Sequence, residues 1–152
     1  ITPLGRIMGW GHNYEGSVTA DSDNPGYVAA DLTGPYKAVF GFGCGLLETG
    51  LPVCWGKNNA LITQMPLQNF VDLAQYQDTA DQGKTTVEAR CGLKSNGGLT
   101  CWGKDGAHVE SLFAGHAYGQ IEGRCALTTE GLAVCPPGLN DVNGSPTPAT
   151  ID

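Results

Sequence analysis

CGLLETGLPVCWG (residues 44–56), CGLKSNGGLTCWG (91–103) and CALTTEGLAVCPPG (125–138) align without a gap. Each holds two cysteines ten positions apart around a glycine, so all six cysteines of the chain fall into three equivalent pairs. Self-similarity at a spacing of tens of residues is the mark of a repeat architecture, in which one unit buries its apolar face against its neighbour. A fainter copy opens the chain. With Gly5 laid on Gly50, Gly97 and Gly131, ITPLGRIMGWG falls on LLETGLPVCWG, Trp10 matches Trp55 and Trp102, and Gly9 stands in place of the second cysteine. The sequence therefore begins in mid-repeat, just after the place of a first cysteine.

Within one copy the residues read as strand, turn, strand. The turn is placed by Glu48-Thr49-Gly50, Asn96-Gly97 and Glu130-Gly131, where glycine supplies the positive φ of a bulged hairpin loop. A three-residue loop sets Cys44 opposite Cys54, and by the same arithmetic Cys91 opposite Cys101 and Cys125 opposite Cys135. Cross-strand β-carbons lie about 4.5–5.5 Å apart, within reach of a disulfide. Six cysteines nevertheless allow 15 arrangements. Upstream of each hairpin stands a further apolar segment: Tyr27–Ala30, Phe70–Leu73 and Val109–Phe113. All three are short and without capping signals, which predicts strands.

Composition agrees with many short strands. Hydrophobic residues make up 41% and charged residues 15%, and 23 glycines and 9 prolines punctuate the chain. The fold class expected is all-β. No run is long enough to span a membrane, and no signal-peptide pattern stands at the start. With 15 acidic against 8 basic residues, the net charge of −7 excludes a phosphate-neutralising, nucleic-acid role. Paired cysteines without a CxxC point to structural disulfides and an oxidising, extracellular or secreted setting. A zinc reading has little to stand on, because His12, His108 and His116 are not grouped with the cysteines.

The pattern Cys-Gly-Leu, a glycine turn, then Cys-Trp-Gly followed by Lys57-Asn58 or Lys104-Asp105 resembles the regulator of chromosome condensation repeat. It is closest to the cysteine-paired form in the extracellular domain of crinkly-type plant receptor kinases, and is also similar to secreted bacterial propellers, including a β-lactamase-inhibiting one. The resemblance implies disulfide-stapled, β-propeller-like repeats whose loops on one face bind other proteins. It divides the chain into a repeat domain over 1–137 (a partial repeat 1–20, then 21–58, 59–105 and 106–137) and a Pro/Thr-rich tail or linker over 138–152. Three repeats and a fraction are too few for a seven-bladed ring. Such an array closes small, is completed by a neighbouring chain, or belongs to something longer. Exchange activity on a nuclear GTPase is not implied, since the cysteines place the chain elsewhere.

Candidate sites follow from the repeat. Trp10, Trp55 and Trp102 are expected to be buried between repeats, with a row of ligand-stacking rings as the alternative. The polar residues after them, His12-Asn13, Lys57-Asn58 and Lys104-Asp105, recur on one rim and are the candidate ligand-binding positions. Asp21-Ser22-Asp23-Asn24-Pro25-Gly26 partly matches a calcium loop through Asp21 and Asp23, but Pro25 and Leu32 stand where ligands belong. Asn143-Gly-Ser is a glycosylation sequon, and Thr147 and Thr150 beside prolines are candidates for O-linked sugar. No GxSxG or HExxH motif is present, and no cysteine is left outside the pairs. No cofactor is implied, and the reading is non-enzymatic.

Two roles compete. One is a structural subunit of an extracellular assembly or filament, self-associating so that incomplete repeats are completed by neighbours. The other is a lectin-like or receptor-like module binding a carbohydrate or protein through rim loops. The C-terminal end is expected to pack near the opening repeat, pairing through Ala149 to Asp152 beside Leu4–Met8 either within one molecule, closing a ring, or in the next, extending a filament.

Overall fold

The computed structural model describes residues 1–12, 27–32, 34–40, 43–55, 64–80, 85–136 and 149–150, with the backbone alone for 9–12, 27–32, 79–80, 85 and 149–150. These residues are mostly β, in small antiparallel sheets with one short helix. They form two compact units, Ile1–Phe70 and Val71–Asp152.

In the first unit, β1 (Ile7–His12) pairs with β2 (Tyr27–Leu32), from Ile7 opposite Leu32 to His12 opposite Tyr27. The Tyr27–Ala30 segment, expected to lead into the second repeat, is thus the last strand of the first. A second sheet runs β3 (Tyr36–Phe40), β4 (Cys44–Leu47), β5 (Pro52–Cys54). Tyr36 is buried because two glycines leave room for its ring. A Cβ on Gly45 would stand 2.8 Å from its Cδ1, and one on Gly34 2.9 Å from its Cε2. Ile7, Cys44, Leu46 and Phe70 are buried in this unit with it.

The second unit is led by a long hairpin of β6 (Asp72–Ala80) and β7 (Thr85–Leu93), and β8 (Leu99–Trp102) lies on the far side of β7. β7 is the central strand, so residues 89–93 are buried without the alternation of a one-sided sheet. A second sheet follows, with β9 (Tyr118–Glu122), β10 (Cys125–Thr128), β11 (Leu132–Val134) and β12 (Ala149–Thr150) in sequential order. One core gathers Ala74, Tyr76, Ala89, Cys91 and Leu93 with Val109, Phe113, Tyr118, Ile121 and Ala126. Phe113 meets Tyr76 and Tyr118 edge-on, with ring centroids 6.4 and 5.8 Å away, the arrangement ring quadrupoles favour.

Two expectations are corrected here. Val109–Phe113 is no strand but part of α1 (Gly106–Leu112) and its C-terminal end. Val109, Leu112 and Phe113 stand at i, i+3 and i+4, and a helix turns all three onto the core while Glu110 and Ser111 stay exposed. At seven residues α1 owes its stability to that packing. Within one molecule, the described C-terminal residues do not form the strand expected beside Leu4–Met8. Ala149 and Thr150 pair instead with Ala133 and Leu132 of β11.

Candidate functional site

The hairpin turns are the repeated feature around which any site is built. In all four copies the glycine N–H donates to the carbonyl three residues earlier: Gly5 to Thr2 (2.9 Å), Gly50 to Leu47 (2.8 Å), Gly97 to Lys94 (3.0 Å) and Gly131 to Thr128 (3.0 Å). The four glycines have φ of 72°, 89°, 82° and 87°, a region that costs any residue with a Cβ. The N–H after each glycine is bonded by a side chain. Thr2 Oγ1 accepts from Arg6, Thr49 Oγ1 from Leu51, Asn96 Oδ1 from Gly98 and Thr128 Oγ1 from Leu132. The opening copy, although it has no cysteine, builds the same turn.

This turn sets the strand register, with Cys44 opposite Cys54 and Cys91 opposite Cys101. Disulfides join Cys44–Cys54, Cys91–Cys101 and Cys125–Cys135, with Cα atoms 4.0, 4.0 and 4.3 Å apart. No described cysteine is free.

Each of the first three turns is also gripped by a residue from later in its own unit. The Tyr36 N–H donates to the Gly5 carbonyl, Phe70 to Gly50 and Tyr118 to Gly97, each at 2.8 Å. All three donors carry buried aromatic rings. Their approach is close: an added Cβ would come within 2.9 Å of Pro35 Cα at Gly5, 2.7 Å of the Phe70 carbonyl at Gly50 and 3.0 Å of Ala117 Cβ at Gly97. Burial raises the phenol pKa of Tyr36 and Tyr118 above the ordinary 10.0. Burial does the same to Tyr76, helped by Asp78 and opposed by Arg124. The Tyr118 O–H donates to the Phe113 carbonyl at 2.9 Å. Arg124 and Asp78 form an ion pair at 3.0 Å, and Asp72 Oδ2 accepts the Ile121 N–H at 3.4 Å, so polar contacts also join β6 to the last sheet.

The rim residues singled out by the repeat pattern separate. Lys104 is exposed in the turn after β8. Asp105 is half-buried and engaged within the chain: its Oδ2 accepts the Glu88 N–H at 2.9 Å and its own N–H reaches the Glu88 carbonyl at 3.4 Å. His12 ends β1, where its backbone pairs with Tyr27. Asn13, Lys57 and Asn58 lie outside the described residues, as do the calcium candidates Asp21 and Asp23 and the glycosylation candidates Asn143 and Thr147. Thr150 lies in β12 opposite Leu132. Among the described residues no three His, Cys, Asp or Glu side chains converge as a metal site. No helix among them is long and apolar enough to cross a membrane. Trp102 is buried and Trp55 half-buried, while the side chain of Trp10 lies outside the described set.

The aromatic clamp residues Tyr36, Phe70 and Tyr118 carried little sequence signal. They precede the first cysteine of their repeat by eight, twenty-one and seven positions, so no fixed spacing marks them. The chain matches no protein-family model, no curated protein and no solved structure.

Proposed function

We propose that this chain is a non-catalytic structural and interaction protein of the extracellular space, a subunit of an assembly built by stacking disulfide-stapled, propeller-like repeats. The observation that carries this reading is the clamp made three times over, in which a buried aromatic residue donates its N–H to the preceding turn glycine at 2.8 Å. A contact repeated with one geometry along the chain is the kind of device by which a repeat array extends. Three disulfides support an oxidising compartment. The engagement of Asp105 with Glu88 weighs against the competing view of a ligand-binding rim.

The test is assembly of the purified, oxidised chain. Light scattering across a concentration series, with electron microscopy of the same samples, is expected to show oligomers that grow with concentration. A monomer at every concentration, with a carbohydrate or protein bound through Lys104, would replace this reading with the recognition module.

A further inference from the structure

Among the described residues, the last of the four turns stands uncovered. Among the described residues an added Cβ on Gly131 would meet nothing within 4 Å, although its φ of 87° matches the other three. Gly50 and Gly97 are buried and Gly131 is exposed. Two more aligned positions change in the same sense. Cys44 and Cys91 are buried while Cys125 is exposed, and Leu46 and Leu93 are fully buried while Leu127 is half-buried. Cys125 and Leu127 line one shallow depression of about 200 Å³ together with Gln120, Glu122, Ala126 and Ala133. Apolar side chains and a disulfide left open at positions that are core elsewhere in the same chain mark a face built to be covered.

The three filled copies define what covers it. In each, the residue before the clamp is small or of modest size (Pro35, Asn69, Ala117) and the clamp residue is aromatic. The aromatic N–H bonds to the turn glycine, and the ring is buried. In the second unit the ring of Tyr118 belongs to the same core as Cys91 and Leu93, the counterparts of Cys125 and Leu127. We propose that the face around Leu127, Gly131 and the Cys125–Cys135 disulfide is the docking site for a further repeat of this kind, which binds through an opening segment with an aromatic residue. The aromatic N–H donates to the Gly131 carbonyl, and the ring covers Leu127 and the disulfide. This rests on the reading of the chain as a stacking repeat protein and names the partner surface of that stack.

A probe is at hand in the chain's own segment 115–122, GHAYGQIE, which clamps Gly97. Titrated as a synthetic peptide into the isotope-labelled, oxidised full chain, it is expected to shift the amide resonances of Leu127, Gly131, Leu132 and Ala133 and few others. The same peptide carrying Y118S should bind about tenfold more weakly or worse, as loss of a central aromatic anchor does. A chain carrying L127K should lose the response with its three disulfides and circular dichroism intact. If L127K fails to fold, A133K places the same charge on the face. Shifts absent or scattered up to the solubility limit of the peptide, or equal binding by the Y118S peptide, overturn the proposal. So does self-association that L127K abolishes while the peptide never binds, because another surface of a second copy then occupies the face. Peptide docking on a chain that never assembles leaves this site standing and removes the filament reading alone.

Discussion

Asp105 and Glu88 hold each other by two contacts, a carboxylate accepting a backbone N–H at 2.9 Å and a backbone N–H reaching a carbonyl at 3.4 Å. Asp105 stands at the N-cap of α1, yet its side chain makes no cap bond to the helix. Its carboxylate fixes where α1 begins relative to β7. From the other end of the link, Glu110 Oε2 accepts the Cys101 N–H at 2.8 Å and ties the helix to β8. Gly106 completes the fit, since a Cβ there would stand 2.8 Å from the Cys101 carbonyl.

Asp105→Ala is therefore expected to destabilise the fold by about 1–3 kcal/mol, the range for a part-buried amide that loses a charged acceptor. Lys104→Ala, one residue earlier and exposed, should stay within about 0.5 kcal/mol of the parent. Urea denaturation at constant slope measures both. An equal effect at the two positions would return Asp105 to the solvated rim.

Alanine at the turn glycines separates backbone strain from contact. Gly97→Ala and Gly131→Ala meet the same positive φ, a cost of about 1–2 kcal/mol, but the first also meets Ala117 Cβ at 3.0 Å and the Tyr118 amide nitrogen at 3.1 Å. Gly97→Ala should be the worse by about 1–3 kcal/mol, the usual penalty for overpacking. Thermal unfolding of the two variants side by side gives the difference, and equal losses would mean that the clamp contributes nothing at Gly97.

Much of the hairpin architecture was legible because one local device determines it. The spacing of Cys91 and Cys101 about a glycine, with Asn96 before it, leads through a turn type to a strand register. Even the opening copy, without cysteines, could be placed through Gly5 and Trp10. What was not legible depended on packing at a distance. Val109 and Phe113 look like strand residues until Tyr76 and Tyr118 are known to wait on one side of them. The preference of Tyr27–Leu32 for β1 is a choice between two edges that the segment alone does not express. At the candidate site, a carboxylate after Trp-Gly-Lys gives no sign of the backbone N–H seventeen residues upstream that Asp105 Oδ2 accepts. Tyr36 and Tyr118 escaped notice, and Phe70 was read only as a strand residue, because the loops before them set their places.

Removing one disulfide should cost more inside the core than at its margin. Closing an 11-residue loop stabilises a hairpin by roughly 2–3 kcal/mol through the unfolded chain, and this part is common to the Cys91–Cys101 and Cys125–Cys135 bridges because both span a sequence separation of 10. Cys91 and Cys101 are buried, whereas Cys125 is exposed and Cys135 half-buried. The double change Cys91→Ala with Cys101→Ala should thus exceed its counterpart at Cys125 and Cys135 by about 1–2 kcal/mol, the scale of the added cavity. Chemical denaturation of both double variants decides it; equal losses would leave loop closure as the whole effect.

Alkali should unfold the protein through its tyrosines. Tyr36, Tyr76 and Tyr118 are held neutral to higher pH in the folded chain than the ordinary 10.0. The unfolded state loses these protons first, so their stabilisation is complete below pH 10 and disappears as pH rises through the folded values. Phenolate absorbance and circular dichroism followed together should change in one cooperative step above that pH. Tyr118→Phe, which removes the O–H bonded to the Phe113 carbonyl, should cost about 0.5–1.5 kcal/mol at neutral pH and shift the alkaline step upward. Full ionisation of all the phenols before any unfolding would contradict this.

The side-chain caps of the four turns have a consequence for how such a repeat can change over time. Two turns take the oxygen from three positions before the glycine, Thr2 and Thr128, and two from the position directly before it, Thr49 and Asn96. Either position serves the same N–H, so a lineage can lose the oxygen at one after gaining it at the other without passing through an uncapped turn. Lys94 stands in one of these interchangeable places opposite Asn96, and a threonine at 94 would free 96 to drift. Repeats of one ancestry can therefore share no polar column at all while the hairpin keeps its shape, and the glycine alone remains to mark them.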